Sequence, residues 1–169
     1  LPVDARPRLV TTVHGFYSVN RYSAIMTRGE RVIAVSESIR RYIHENYSDV
    51  DADRVEVINR GIDPSRFYPE YQPSAKWQEQ WQKAMPQLRG RRVVTLAARL
   101  TRLKGHHTFI SMIRQLADAG DPVHGLIVGG EDPRRPAYAH ELYDKAQGAP
   151  ISFLGHRDDL RDIMSSSDA

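Results

Sequence analysis

Cysteine is absent from the 169 residues, which excludes disulfide scaffolds and thiolate metal sites. No run approaches the ~20 apolar residues that a membrane-spanning helix needs. The opening stretch LPVDARPRLV, 1–10, has no apolar signal core, so the expected compartment is the cytoplasm. Charge of one sign is scarce: 24 Lys and Arg face 21 Asp and Glu, a net of +3. That balance suits an acidic small molecule and is too weak to suggest a wrapped nucleic acid. Basic and aromatic residues do not interleave along any strand pattern, and no nucleic-acid motif appears, so nucleic acid is not an expected partner. The glycine-rich dinucleotide fingerprint and the P-loop are both missing. So are short-period repeats and low-complexity tracts.

Forty per cent of the residues are apolar and 27% are charged, as in ordinary soluble domains with a real core. The length fits about one domain, or parts of two. Six short, almost wholly apolar runs stand out: Leu9–Val13, Val32–Val35, Val55–Ile58, Val93–Ala97, Gly125–Val128 and Ile151–Leu154. Runs of that kind are strands of a parallel sheet covered on both faces. Helical patterns alternate with them. SESIRRYIHENY offers Ser36 and Ser38 as caps and puts Ile39, Tyr42 and Ile43 on one face. HTFISMIRQLADAG carries Phe109, Ile110, Ile113, Leu116 and Ala117, and Gly120 suits its stop. AYAHELYDKAQG and DDLRDIMSSS are weaker helical patterns. The alternation predicts an α/β fold with right-handed crossovers.

The rhythm breaks between Gly61 and Gly90, a segment with four prolines and no strand pattern. Trp77, Trp81 and Met85 recur there every four residues, which predicts a short amphipathic helix packed against a domain. The segment reads as an interdomain connection. Three regions follow: 1–60, the end of one Rossmann-like domain; 61–90, the linker; and 91–169, the start of a second Rossmann-like domain. The chain opens without Met and closes on DIMSSSDA, a helix heading toward a further strand. A portion of a longer protein is the expectation.

Several places could carry chemistry. In LAARLTRLKGHHTFI, Leu96 to Ile110, a strand hands over to a helix through Arg99, Arg102 and Lys104. Ligands of open α/β sheets bind beyond the carboxyl ends of strands, and a helix N-terminus favours an anion. Arg99 offers a planar fork and Lys104 a point charge, a pairing suited to a diphosphate; a solvated basic turn is the alternative. Gly129 and Gly130 end the next strand, where glycine lets backbone approach a ligand closely, or simply turns the chain. His14 ends the first strand just before Gly15 and faces either a cleft or its own scaffold. His106 and His107 lack the i, i+4 spacing of a metal pair and read as first-turn residues. Arg134 and Arg135 lie in a proline-bounded loop, either solvated or open to an acidic acceptor. Asp158, Asp159 and Asp162 read as a solvated helix start rather than the carboxylate pair of a glycosidase.

Taken in order, TVHGF, VIAVSESIRRYI, VEVINRGIDPSRFYP, VVTLAARLTRLKGHHTFI, HGLIVGGEDP and ISFLGHRDDLRDIMSSSDA resemble the retaining glycosyltransferases of family 4, across nearly the whole chain. The resemblance implies the GT-B architecture: two Rossmann-like domains facing a cleft, the donor sugar nucleotide held mainly by the C-terminal one. It implies that Arg99 and Lys104 grip the donor diphosphate and that His14 faces the donor sugar. Gly129 and Gly130 would approach the donor, and Phe153, Leu154 and Gly155 would lie near the base through backbone atoms. His14, Arg99 and Lys104 are thus the implied catalytic residues. The donor would be a UDP- or GDP-sugar, with no metal or other cofactor. The acceptor would be a carbohydrate or a lipid-linked sugar, in polysaccharide or glycolipid synthesis. Many relatives work peripherally at the inner membrane face, although no amphipathic basic helix here demands it. Departures from the family pattern are the absent glycine-rich loop of the first domain, the absent pair of glutamates near the end of the second, and Arg60 in NRGID where the family often has NGVD. These 169 residues are therefore not expected to be active alone, and a non-catalytic nucleotide or sugar-phosphate binding module is the competing reading.

Overall fold

Six short strands form two separate three-stranded parallel sheets, β1-β2-β3 and β4-β5-β6, each in sequence order. A computed structural model describes residues 6–169, so the first five residues of the stretch tested for a signal core lie outside the described residues. The chain divides into two compact units, Leu1–Asp63 and Pro64–Ala169. From Pro64 onward, the proline-rich stretch read as a connection falls in the second unit.

In the first unit β1 (Val10–Val13), β2 (Arg31–Ala34) and β3 (Val55–Val57) carry α1 (Glu37–Asn46) between the second and third strands. Ser36 caps α1: its hydroxyl accepts from the Ile39 amide at 3.3 Å, meeting one of the donors a helix start leaves free. Ile39 and Ile43 are buried against Val13, Val32, Ala34 and Val55. Each full burial of a side chain of this size contributes ~1.5–3 kcal/mol. The link from β1 to β2 is a single 3-10 turn, Ser23–Thr27. The Tyr47 hydroxyl donates to Ser23 Oγ at 3.0 Å and ties that turn to the end of α1.

The second unit begins with α2 (Ala75–Ala84), capped by Ser74. It continues as β4 (Arg92–Ala97), α3 (His106–Asp118), β5 (Val123–Val128), α4 (Pro136–Ala146), β6 (Ile151–Gly155) and α5 (Leu160–Ser165). Both faces of its sheet are covered. Phe109, Ile110, Ile113, Tyr138 and Leu142 from α3 and α4 pack on Val123 and Ile127. On the other face Val93, Leu126 and Val128 meet Ile163 of α5, Met85, Trp77 and Trp81. All six residues of β5 are buried, as expected of a central parallel strand. The four-residue recurrence of Trp77 and Trp81 thus serves packing: their rings stack at 5.1 Å with 17° between planes. Gly125 lets α3 lie close on β5, since a Cβ there would sit 2.9 Å from Ile113.

Of the three aspartates read as a solvated helix start, only Asp158 keeps a fully exposed side chain, with His156 Nε2 3.4 Å from its Oδ1. Asp159 accepts two hydrogen bonds from the Arg157 guanidinium, at 2.8 and 2.6 Å, and one from Trp77 Nε1 at 2.7 Å. Arg157 first, then Trp77, hold its carboxyl down at about 2 against the partial burial. Asp162 accepts from the Tyr71 hydroxyl at 2.6 Å. The solvated reading fails for both because each also has a partner in the 64–90 segment, Trp77 for Asp159 and Tyr71 for Asp162. These carboxylates fasten α5 to that segment.

Candidate functional site

The carboxyl ends of β4, β5 and β6 meet at one edge of the second sheet. The Ala98 amide donates to Val128 at 2.9 Å, the Leu100 amide to Gly130 at 3.0 Å, and the Gly129 amide to Gly155 at 2.8 Å. This brings Arg99, Gly129, Gly130 and Gly155 into one patch. Gly129 is indispensable to it: a Cβ there would lie 2.0 Å from the Ala98 carbonyl oxygen and 2.9 Å from the Arg99 nitrogen. Gly130 faces open space, with His156 Cβ at 3.9 Å from where its own Cβ would be. At the end of β6 the ladder slips, so that Ile127 pairs with Phe153 but Val128 pairs with Gly155. A bulge of this kind re-aims the backbone, and Gly155, at φ 65°, adopts the left-handed turn that glycine tolerates best.

From Ala98 the loop runs through a 3-10 turn, Arg102–Lys104, to Gly105 at φ 72°, and then into α3. No side chain caps the start of α3, so the positive end of a thirteen-residue helix is offered to an anion. Three basic residues precede it, and they are not equivalent. Arg102 donates to Glu141 Oε2 at 2.9 Å and lies 5.0 Å from the Tyr138 ring centre, so it clamps the loop to α4. Arg99 and Lys104 are exposed, and neither has an ion pair with a carboxylate among the described residues. Glu131 of the facing loop is also taken, because it accepts from the Tyr143 hydroxyl at 2.5 Å; that bond and burial push the phenol up to about 12.

Below this loop sits His106, fully buried. Its ring nitrogens make no well-formed hydrogen bond, although the Ala98 and Thr101 backbone lies beside them, and the ring meets Tyr138 edge-on at 6.3 Å. Burial holds its pKa below the ordinary histidine value. His107 lies with Nε2 3.1 Å from Glu141 Oε1. The pair read as plain first-turn residues is therefore a floor and a side wall of the loop. The sequence carried a signal for this, since His106 stands three residues before Phe109 on the buried face of α3.

Phe153 and Leu154 place their side chains in opposite cores. Phe153 meets Tyr143 edge-on at 4.7 Å, while Leu154 packs beside Trp77 and Trp81. Both side chains are half-buried. His14 lies in the first unit, one residue past β1 and exposed. Its Nδ1 is 2.6 Å from Nη2 of Arg60, a contact that the sequence did not reveal. Among the described residues no group of three or more His, Asp or Glu is arranged to hold a metal ion, and no helix is long and apolar enough to cross a membrane.

Comparison with known proteins divides along the same lines as the fold. Residues 2–66 match the family model described as Glycosyltransferase Family 4. Residues 91–169 match the one described as Glycosyl transferases group 1. No curated protein matches the chain in sequence. Among solved structures, a glycosyltransferase from Rickettsia africae is 25% identical with a TM-score of 0.77, covering 94% of this chain and 43% of its own. HepE of Anabaena, in complex with UDP and glucose, is 23% identical with a TM-score of 0.76, covering 98% and 46%. A UDP-forming trehalose-phosphate synthase from Burkholderia vietnamiensis is 18% identical with a TM-score of 0.59, covering 83% and 37%. The chain spans less than half the length of each of these relatives.

Proposed function

We propose that the chain, whose two parts match glycosyltransferase family models and whose α/β sheets have the GT-B glycosyltransferase fold, is part of an enzyme that moves a sugar from a nucleoside diphosphate to an acceptor. One observation carries the reading. In the loop after β4 the middle cation, Arg102, is consumed by Glu141, while Arg99 and Lys104 stay unpaired beside an uncapped helix start. Two unpaired cations and a helix N-terminus form a receptor for a diphosphate.

In this reading Arg99 and Lys104 bind the donor diphosphate and stabilise the charge that grows on it as the glycosidic bond breaks. Gly129 and Gly130 let the donor approach the backbone, and residues 153–155 present main-chain groups to the base. His14, at the end of β1, is the residue assigned to the donor sugar. No metal is required, since the two side chains supply the positive charge. UDP and glucose bound to HepE favour a UDP-hexose as donor, with GDP-sugars as the other option. Retention of anomeric configuration, an acceptor that is a carbohydrate or lipid-linked sugar, and a place in polysaccharide or glycolipid synthesis at the cytoplasmic membrane face complete the proposal.

The test is to incubate the full gene product with a panel of UDP- and GDP-sugars and to measure release of the free nucleoside diphosphate. Release with one donor, abolished by Arg99→Ala, is the expected result. Tight nucleotide binding with no release from any donor, even with added oligosaccharide and lipid-linked acceptors, would favour the non-catalytic binding module instead.

A further inference from the structure

Two strand ends of the first unit converge where the family pattern is broken. His14 follows β1 directly, and Arg60 stands three residues after β3, with β2 between the two strands. Both exits are anchored to β2: the Val35 amide donates to Val13 at 3.4 Å and the Ile58 amide to Ala34 at 3.0 Å. From those anchors the Arg60 side chain crosses the edge of the sheet and sets Nη2 2.6 Å from His14 Nδ1.

The chemistry of that contact is one-directional. A guanidinium has five N–H donors and no acceptor, and it does not lose its charge in a protein. Nδ1 must therefore offer its lone pair, so the single proton of neutral His14 resides on Nε2. A ring nitrogen's partner decides which nitrogen faces outward as a donor and which as an acceptor. We infer that Arg60 is a positioning residue that fixes His14 as its Nε2–H tautomer and orients the ring, so that an N–H donor is presented to the ligand. A hydroxyl of the donor sugar is the class of group such a donor would meet, and that part rests on the proposed transfer reaction. The tautomer assignment itself does not.

The test separates the two. Nitrogen-15 spectra of the histidine side chains, recorded at about pH 8.5 where an ordinary histidine is neutral, identify the bare and the protonated nitrogen of His14, assigned through His14→Gln. The wild type should show a bare Nδ1 and a protonated Nε2. Arg60→Met should shift both resonances toward the averaged values of an unrestrained ring, while Arg60→Lys, also a donor-only cation, should recover most of the wild-type pattern. Circular dichroism checks that both variants are folded. In transfer assays Arg60→Met should lower kcat about tenfold or more with KM for the donor changed by less than about threefold, because a misaligned donor is a transition-state loss. Unchanged nitrogen resonances in Arg60→Met would overturn the inference. So would a protonated Nδ1 in the wild type, or a rise in KM alone, which would make Arg60 a direct ligand contact. Loss of transfer activity in every protein, with the resonances as expected, would count against the enzyme reading and leave the tautomer assignment standing.

Discussion

Gly129 gives the sharpest way to perturb the candidate site without touching a charge. A methyl group in its place would stand 2.0 Å from the carbonyl oxygen of Ala98 and 2.4 Å from its carbon. Contacts below 3.0 Å are essentially unknown for real side chains, so the Ala98–Arg99 peptide would have to retreat by at least about 1 Å. Both neighbours are backbone, which no rotamer change can relieve. The retreat stretches the bonds from the Ala98 amide to Val128 and from the Leu100 amide to Gly130, each contributing about 1 kcal/mol net. Overpacking itself costs typically 1–3 kcal/mol, so Gly129→Ala should destabilise by about 2–5 kcal/mol. Gly130→Ala is the matched control, since its methyl would meet only His156 Cβ at 3.9 Å; a change of less than about 0.5 kcal/mol is expected there. Urea denaturation of both variants measures the difference. The folded fraction of Gly129→Ala should also bind nucleotide worse, because Arg99 moves with its peptide, and displacements near 1 Å cost about a hundredfold in well-ordered sites. Equal stability of the two variants would refute the close approach of the β4 and β5 exits on which the site is built.

Asp159→Asn keeps the shape but removes the charge that holds Arg157 and Trp77. A loss of about 1–2 kcal/mol in urea denaturation at neutral pH is expected, discounted for the 38% exposure of Arg157. The native carboxyl is depressed from 3.8 to about 2, so the wild-type advantage is complete above pH 3.8 and should vanish as pH falls through about 2; a gap that does not depend on pH would contradict the assignment. His106 behaves in the same sense. Its native pKa lies below the ordinary 6.5 because of burial, so the unfolded chain takes up the proton first, and stability is complete above about pH 6.5 and declines below it. Thermal melts from about pH 8 to about pH 5 should show that decline, and His106→Leu should flatten part of it; an unchanged slope would point to His124, which burial, then Arg91, also holds below its ordinary value.

All six strands were legible in the sequence to within about two residues, because short apolar runs between amphipathic patterns have few other uses in a soluble chain. The Ser36 cap and the Trp77–Trp81 helix were legible for the same reason: local spacing dictates local structure. What spacing could not show was partner choice. Nothing in DDLRDIM indicates that Asp159 and Asp162 would be met by Trp77 and Tyr71, since those contacts depend on how α2 and the chain before it fold back on the sheet. Likewise Arg99, Arg102 and Lys104 look alike in the sequence. Only the position of Glu141, one turn into α4, separates the clamp from the two unpaired cations. Arg60 looked like a mere deviation in its loop until the fold brought it to His14 across β2.

The central claim is that Arg99 and Lys104 together hold a nucleoside diphosphate at the rim of the second sheet. Isothermal titration of the full gene product with UDP, and in parallel with GDP, tests it most directly. Each charge-assisted contact contributes about 1.5–3 kcal/mol, so Arg99→Ala and Lys104→Ala should each weaken binding at least about tenfold, while Arg102→Ala, which only loosens the loop, should weaken it less than either. Wild-type affinity retained in the Arg99→Ala, Lys104→Ala double variant, with the protein folded, would contradict the account.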